Sequence, residues 1–285
     1  MVKKKKDLHT NLKLMLMSEL VGSFLLIFVI AGPSIFGVFE KETYDNQFSN
    51  VMDIIFRTFP MRAVWFATGT WLILMLLNKI SCNLNPVVTL FSHTEFNFSK
   101  KETSLKLIVQ FSGTMLGLLT CLGIFLLCFK EAPFTIGAVQ PGLHQSYKST
   151  DEILAFDPFN PFPVDKWWYY SFQVIFEYVT TLTLLIFSYL ARNKNWKGSK
   201  SLIIWLGLVV AITLGYRTGN TGINPAKTFC TGVVSGIYNL SSNSTPINPG
   251  AVKIMPFLMT SEILAAITIM KFSKYNKQKT KIILC

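Results

Sequence analysis

Six apolar runs separated by polar connections dominate the pattern of this chain: Leu14–Phe36, Met61–Ile80, Ser104–Phe129, Trp167–Leu190, Ser201–Tyr216 and Ala251–Phe272. A helix needs roughly 20 mostly apolar residues to cross the hydrocarbon core of a bilayer. Each run therefore predicts a transmembrane helix, the short Ser201–Tyr216 with help from flanking residues. Two further apolar segments do not fit this pattern: "SCNLNPVVTLF" from Ser81 and "TGINPAKTFCTGVV" from Thr221. Each carries Asn-Pro at its head. Asn is a strong helix N-cap, and Pro suits the first helical position because its missing N–H would have no partner there. Asn85-Pro86 and Asn224-Pro225 thus predict short helices near Val87–Glu95 and Ala226–Ile237. Neither is long enough to cross, so each must enter and leave on the same side.

The spans repeat. "SELVGSFLLIF" in the first sets Glu19 four residues before Ser23, and "FEYVTTLTLLIF" in the fourth sets Glu177 four before Thr181. In each half an Asn-Pro segment then follows the second span, and a third span closes the half. An odd number of spans per half gives the halves opposite orientations, and such repeats enclose a pathway near the midplane. The expected fold class is an all-α membrane protein: six transmembrane helices plus two re-entrant half-helices in an inverted repeat. Its parts are a basic tail (1–13), a membrane domain (14–272, with halves 14–129 and 167–272 joined by the loop 130–166) and a second tail (273–285). The half-helix N-termini meet head to head, each presenting a positive dipole end. The Asn85 and Asn224 amides donate to one small polar guest there, while a cation meets two positive ends. Glu19 and Glu177 are expected to accept from loop N–H groups that no helix satisfies, since buried non-helical backbone in a membrane needs such partners. Glu262, in the sixth span, has no visible counterpart in the other half.

Composition agrees with lipid as solvent: 51% of residues are hydrophobic and 15% charged, against about 25% charged in soluble domains. The net charge of +12 does not require nucleic acid. Of the 27 basic residues, 18 fall on one side of an even-span topology. They are Lys3–Lys6 and Lys13; Lys79, Lys100, Lys101 and Lys106; Arg192, Lys194, Lys197 and Lys200; and Lys271, Lys274, Lys277, Lys279 and Lys281. The positive-inside rule makes both termini cytoplasmic, and basic tails beside anionic lipid need no other partner. The first span, behind a basic tail and containing Glu19, is not expected to be a signal peptide. The five cysteines form no CxxC pair, so no metal or redox cofactor is expected. The three histidines, His9, His93 and His144, assemble no nucleophile–His–acid set, so no enzyme is expected. This topology places the sequons at Asn239 and Asn243 outside as glycosylation candidates, and the one at Asn97 inside.

At Asn85-Pro86-Val87, Asn224-Pro225-Ala226, Glu19, Glu177 and "VQFSGTMLG" (109–117) the chain resembles the aquaporin, or major intrinsic protein, family. The resemblance covers roughly Leu14 to Phe272. It implies a passive channel for water and small neutral solutes, in a homotetramer with one pore per subunit. It also implies a selectivity filter at Trp65, at Ala211 or Ile212, at Thr221 and at Lys227. Departures are visible. Val87 replaces the usual Ala, Asn83 stands where a His is common, and Lys227 stands where the family usually has Arg. Arg is a rigid fork of donors, whereas Lys is a flexible point charge. Without the filter His and Arg the aperture is wider and less polar, which suits a glycerol-like guest with a carbon edge. Thr228, in contrast, is typical of the water branch. Two other readings are a structural or junctional membrane protein with a closed pore, choked by Val87 and Lys227, and a coupled transporter using Glu262.

Overall fold

The computed structural model describes residues 12–30, 59–77, 83–96, 99–128, 167–192, 200–216, 222–241 and 249–283. These residues form eight helices: α1 Leu12–Ile30, α2 Phe59–Leu77, α3 Pro86–Phe96, α4 Lys100–Cys128, α5 Trp167–Arg192, α6 Lys200–Tyr216, α7 Pro225–Ser241 and α8 Pro249–Ile283. Four are long and apolar enough to cross a membrane: α1, α4, α5 and α8. Helices α2 and α6, with 19 and 17 residues, contain the shorter apolar stretches Val64–Leu77 and Lys200–Gly215. Their lengths reach the lower end of the roughly 17–25 residues that a span needs. The half-helices α3 and α7 have 11 and 17 residues.

Two ends differ from expectation. Helix α8 continues past Phe272 to Ile283, because no Gly or Pro after Pro256 interrupts it. Helix α7 runs four residues beyond Ile237. Residues 31–36 of the expected first span lie outside the described residues. Ser99 caps α4: its Oγ accepts the Glu102 N–H at 3.1 Å. This is the Ser-x-x-Glu arrangement of a capping box.

The packing repeats as the sequence does. The Gly69 Cα on α2 lies against Val29 of α1, and the Gly207 Cα on α6 lies against Phe187 of α5. Val29 and Phe187 each stand ten residues beyond their half's glutamate. On α4, Gly113 and Gly117 sit against the carbonyl oxygens of Leu20 and Phe24 on α1. That small-xxx-small spacing lets two membrane helices approach closely. The half-helices cross over: α3 packs on α8 of the other half, and α7 packs on α4. Accordingly one apolar cluster joins Ile27, Ile73 and Leu118 to Cys230 and Val234 of α7. A second joins Val87, Val88 and Phe91 of α3 to Leu185, Ala265 and Ile269. Leu76, Ile108, Leu127, Ile175, Leu202 and Phe257 remain exposed on the outside, where lipid is the solvent.

Candidate functional site

The heads of α3 and α7 meet, and each Asn does two jobs. Asn85 Oδ1 accepts the Val87 N–H at 3.0 Å, capping α3, while its Nδ2 donates to the Ile223 carbonyl at 2.7 Å. Asn224 Oδ1 accepts the N–H groups of Ala226 at 3.1 Å and Lys227 at 3.4 Å, while its Nδ2 donates to the Leu84 carbonyl at 3.0 Å. Each amide thus locks its own half-helix to the loop of the other half. An amide nitrogen carries two N–H groups, and the lock uses one on each Asn. Both side chains are largely but not fully covered, at 8% and 6% exposure. The lock requires unusual backbone. Leu84 and Ile223, each just before its Asn, have φ of 57° and 52°. A non-Gly residue there costs on the order of 1–3 kcal/mol and persists only where its surroundings enforce it.

The enforcing groups are the two buried glutamates. Glu19 Oε1 accepts the Asn83 N–H at 2.8 Å, and Oε2 accepts the Leu84 N–H at 2.9 Å. In the other half Glu177 Oε1 accepts the Ile223 N–H, and the Gly222 N–H faces the same carboxylate. In each half a residue of the closing span ties this carboxylate to the half-helix. Gln110 Nε2 on α4 donates to Glu19 Oε2 and to Thr89 Oγ1, both at 2.8 Å. Glu262 on α8 accepts from Thr228 Oγ1 at 3.0 Å, and its buried carboxyl group neighbours that of Glu177. Thr89 and Thr228 each stand four residues after their Asn. Glu262 therefore does have a counterpart, Gln110, and the expectation that it has none is corrected. The repeat is hidden in sequence because the α7–α8 connection is longer than the α3–α4 turn. A second correction concerns Lys106, counted above among the basic residues of the connection after the second span. It is fully buried in α4, with Nζ 4.0 Å from Glu19 Oε1.

The remaining candidates are distributed as follows. Pro86 and Pro225 open their helices, and Val87 and Ala226 are fully buried. Val87 packs into the α3–α5–α8 cluster. Ala211 and Ile212 join Leu184 and Ile223 in a cluster against which Phe66 packs. Trp65, the neighbour of Phe66, is half exposed and donates its indole N–H to the Val29 carbonyl at 3.1 Å. Lys227 is 5% exposed and stands in the field of both Glu177 and Glu262. Thr221 and Asn243 lie outside the described residues, as does the Asn239 side chain at the end of α7. Among the described residues no group of His, Cys, Asp and Glu is arranged to hold a metal ion.

Two crossed Asn-Pro heads inside an inverted helical repeat are a constellation with known relatives. The profile of the family described as Major intrinsic protein matches residues 7–241. The chain belongs to the major intrinsic protein family. Members of this family are membrane channels for water and small solutes, not enzymes, and this member is an integral membrane protein. Its fold is similar to the X-ray structure of the aquaglyceroporin from Plasmodium falciparum. The TM-score is 0.60 at 15% sequence identity, covering 92% of this chain and 95% of that one. No curated protein matches this major intrinsic protein in sequence. Helix α8, which carries Glu262, lies beyond the part that the family profile matches.

Proposed function

We propose that this chain is a passive pore for water and small neutral solutes, glycerol-like molecules included, with one pore in each subunit of a homotetramer. The observation that carries the reading is the crossed amide lock. Asn85 and Asn224 each keep one N–H for a guest while two half-helix N-termini face the same point. Donors at the centre replace water's hydrogen bonds for a neutral guest, and the two dipole ends repel cations. The filter is assigned to Trp65, with Phe66 beside it, and to Ala211, Ile212, Thr221 and Lys227. An apolar wall at Ala211 and Ile212 supports passage of a solute with a carbon edge. Burial of Val87 inside helix packing speaks against a pore choked at the first Asn-Pro box. Both termini are assigned to the cytoplasm, with the basic tails against anionic lipid and Asn239 and Asn243 on the outer side as glycosylation candidates.

Stopped-flow permeability of proteoliposomes to water, glycerol and urea tests the reading. The wild type should pass water and glycerol. Asn85→Ala and Asn224→Ala should each lose flux, along with a cap worth about 0.5–2 kcal/mol. Normal flux in either correctly folded variant would falsify the central assignment.

A further inference from the structure

The two halves place their buried lysines differently. On α4, Lys106 stands four residues before Gln110. On α8, four residues before Glu262, the counterpart of Gln110, stands Leu258. On the half-helices the order is reversed: Val88 follows Asn85 by three residues, and Lys227 follows Asn224 by three. The shared scaffold therefore accepts a buried leucine where Lys106 stands. Lysine is almost never fully buried unless it is paired, so its presence in the first half alone asks for a cause in that half.

The geometry around Glu19 supplies it. Lys106 and Gln110 lie one turn apart on one face of α4, and both are fully buried, as is Glu19. The close approach of α1 to α4, with Gly113 against the Leu20 carbonyl, brings this face to Glu19. Three N–H donors point at the Glu19 oxygens: the Asn83 backbone at 2.8 Å, the Leu84 backbone at 2.9 Å and the Gln110 amide at 2.8 Å. Such a set of donors favours the ionised carboxylate. The Lys106 Nζ stands 4.0 Å from Glu19 Oε1. Charge matters at this place. Each half-helix N-terminus is worth about half a positive charge, so the two heads together present about one. An unbalanced carboxylate under the Asn85 head would cancel that repulsion for a cation in the path. Lys106 restores the balance from a fully buried position, without placing an ammonium in the path.

We propose that Lys106 is an ion-exclusion determinant: its ammonium balances the Glu19 carboxylate beneath the Asn85 head and so leaves the two half-helix ends positive toward a cation. The proposal deepens the channel reading and rests on it for its permeability consequences. It adds to the filter a specificity residue that never touches the solute and acts through the field at the centre of the pore.

Water and potassium permeability are measured in proteoliposomes for the wild type, Lys106→Gln, Lys106→Met and Lys106→Arg. Gln keeps a donor for Glu19, Met keeps the stem, and Arg keeps the charge. Both neutral variants should pass water near the wild-type rate. Their potassium permeability should rise roughly tenfold, equivalent to a barrier lower by about 1.4 kcal/mol. Lys106→Arg should stay as tight to potassium as the wild type. Neutral variants as tight as the wild type, or an Arg variant as leaky as they are, overturn the proposal. A second readout is independent of flux: thermal unfolding in detergent of the wild type, Lys106→Gln, Glu19→Gln and the double variant. Removing one member of a buried ion pair leaves the other charge uncompensated, whereas removing both does not. The double variant should therefore lose less than the two single variants together, and additive losses overturn the pairing. A double variant that folds where Lys106→Gln does not supports the pairing, and failure of both to fold overturns it. If the wild type passes no water, the channel reading fails, while the unfolding cycle still decides whether Lys106 balances Glu19.

Discussion

Gly222 has no room for a β-carbon. One built there lies 2.9 Å from Glu177 Oε1 and 2.9 Å from Thr228 Oγ1, inside the network that holds the α7 head. Its equivalent in the first half is Asn83, whose N–H makes the same bond to Glu19 and whose side chain reaches Thr89 Oγ1 at 3.3 Å. The two loops are alike in backbone and differ in what fills the space beside the carboxylate. Gly222→Ala should therefore destabilise by about 1–3 kcal/mol through overpacking. A Gly123→Ala control, with nothing within 4 Å of its new carbon, should gain up to about 1 kcal/mol of helix propensity. Thermal unfolding in detergent reads both, and equal midpoints for the two variants would contradict the close packing at Gly222. Much of this chemistry is legible in the sequence. Asn85, Asn224, Glu19 and Glu177 stand out as polar residues in apolar surroundings. Aligning "NPVVT" with "NPAKT" also brings Thr89 and Thr228 into register. The roles of Gln110, Lys106 and Glu262 are not legible there, because each depends on which face of a closing span meets the other half.

At the scale of elements, each half-helix packs against the closing spans of both halves, and close helix approach sets the depth of the carboxylates. Glu19 can reach both the Asn83–Leu84 backbone and Gln110 only because α1 and α4 touch at Gly113 and Gly117. Gly113→Val places a branched side chain against the Leu20 carbonyl, and backbone cannot rotate out of the way as a side chain can. The variant should push α1 from α4 and stretch the 2.8 Å Gln110–Glu19 bond. The expected cost is about 1–3 kcal/mol or more, seen as a lower melting temperature and less monodisperse protein. An unchanged midpoint counts against the tight α1–α4 crossing. Hydropathy alone identifies these spans, since a long apolar run has few alternatives in lipid. It places their ends less well. Helix α8 overruns its apolar part because Lys and Gln continue a helix readily once it has begun. Pairing between helices is carried by small residues such as Gly69 and Gly207, which a hydrophobic pattern does not weigh.

For the whole molecule, the inverted repeat turns local facts into a constraint on topology. The half-helices α3 and α7 meet head to head, so one must enter from each side of the membrane. The long helices α1, α4, α5 and α8, with α2 and α6 between them, make an even number of crossings, which returns the chain to the side where it began. Geometry thus requires both termini on one side but cannot say which. The proposed cytoplasmic side rests on charge. The tails and the connections on their side carry most of the 27 basic residues, even with Lys106 removed to its buried place beside Glu19. Basic loops flanking spans stay cytoplasmic. Epitope tags at the two ends should therefore be hidden from antibody in intact cells and become accessible together on permeabilisation. A tag inserted in the 130–166 connection should be accessible without permeabilisation. If both terminal tags were external with the connection internal, the repeat would stand and only the charge argument would fail. If one terminus were external and the other internal, the number of crossings would be odd. No pair of half-helices related by an axis in the membrane plane could then meet at Asn85 and Asn224.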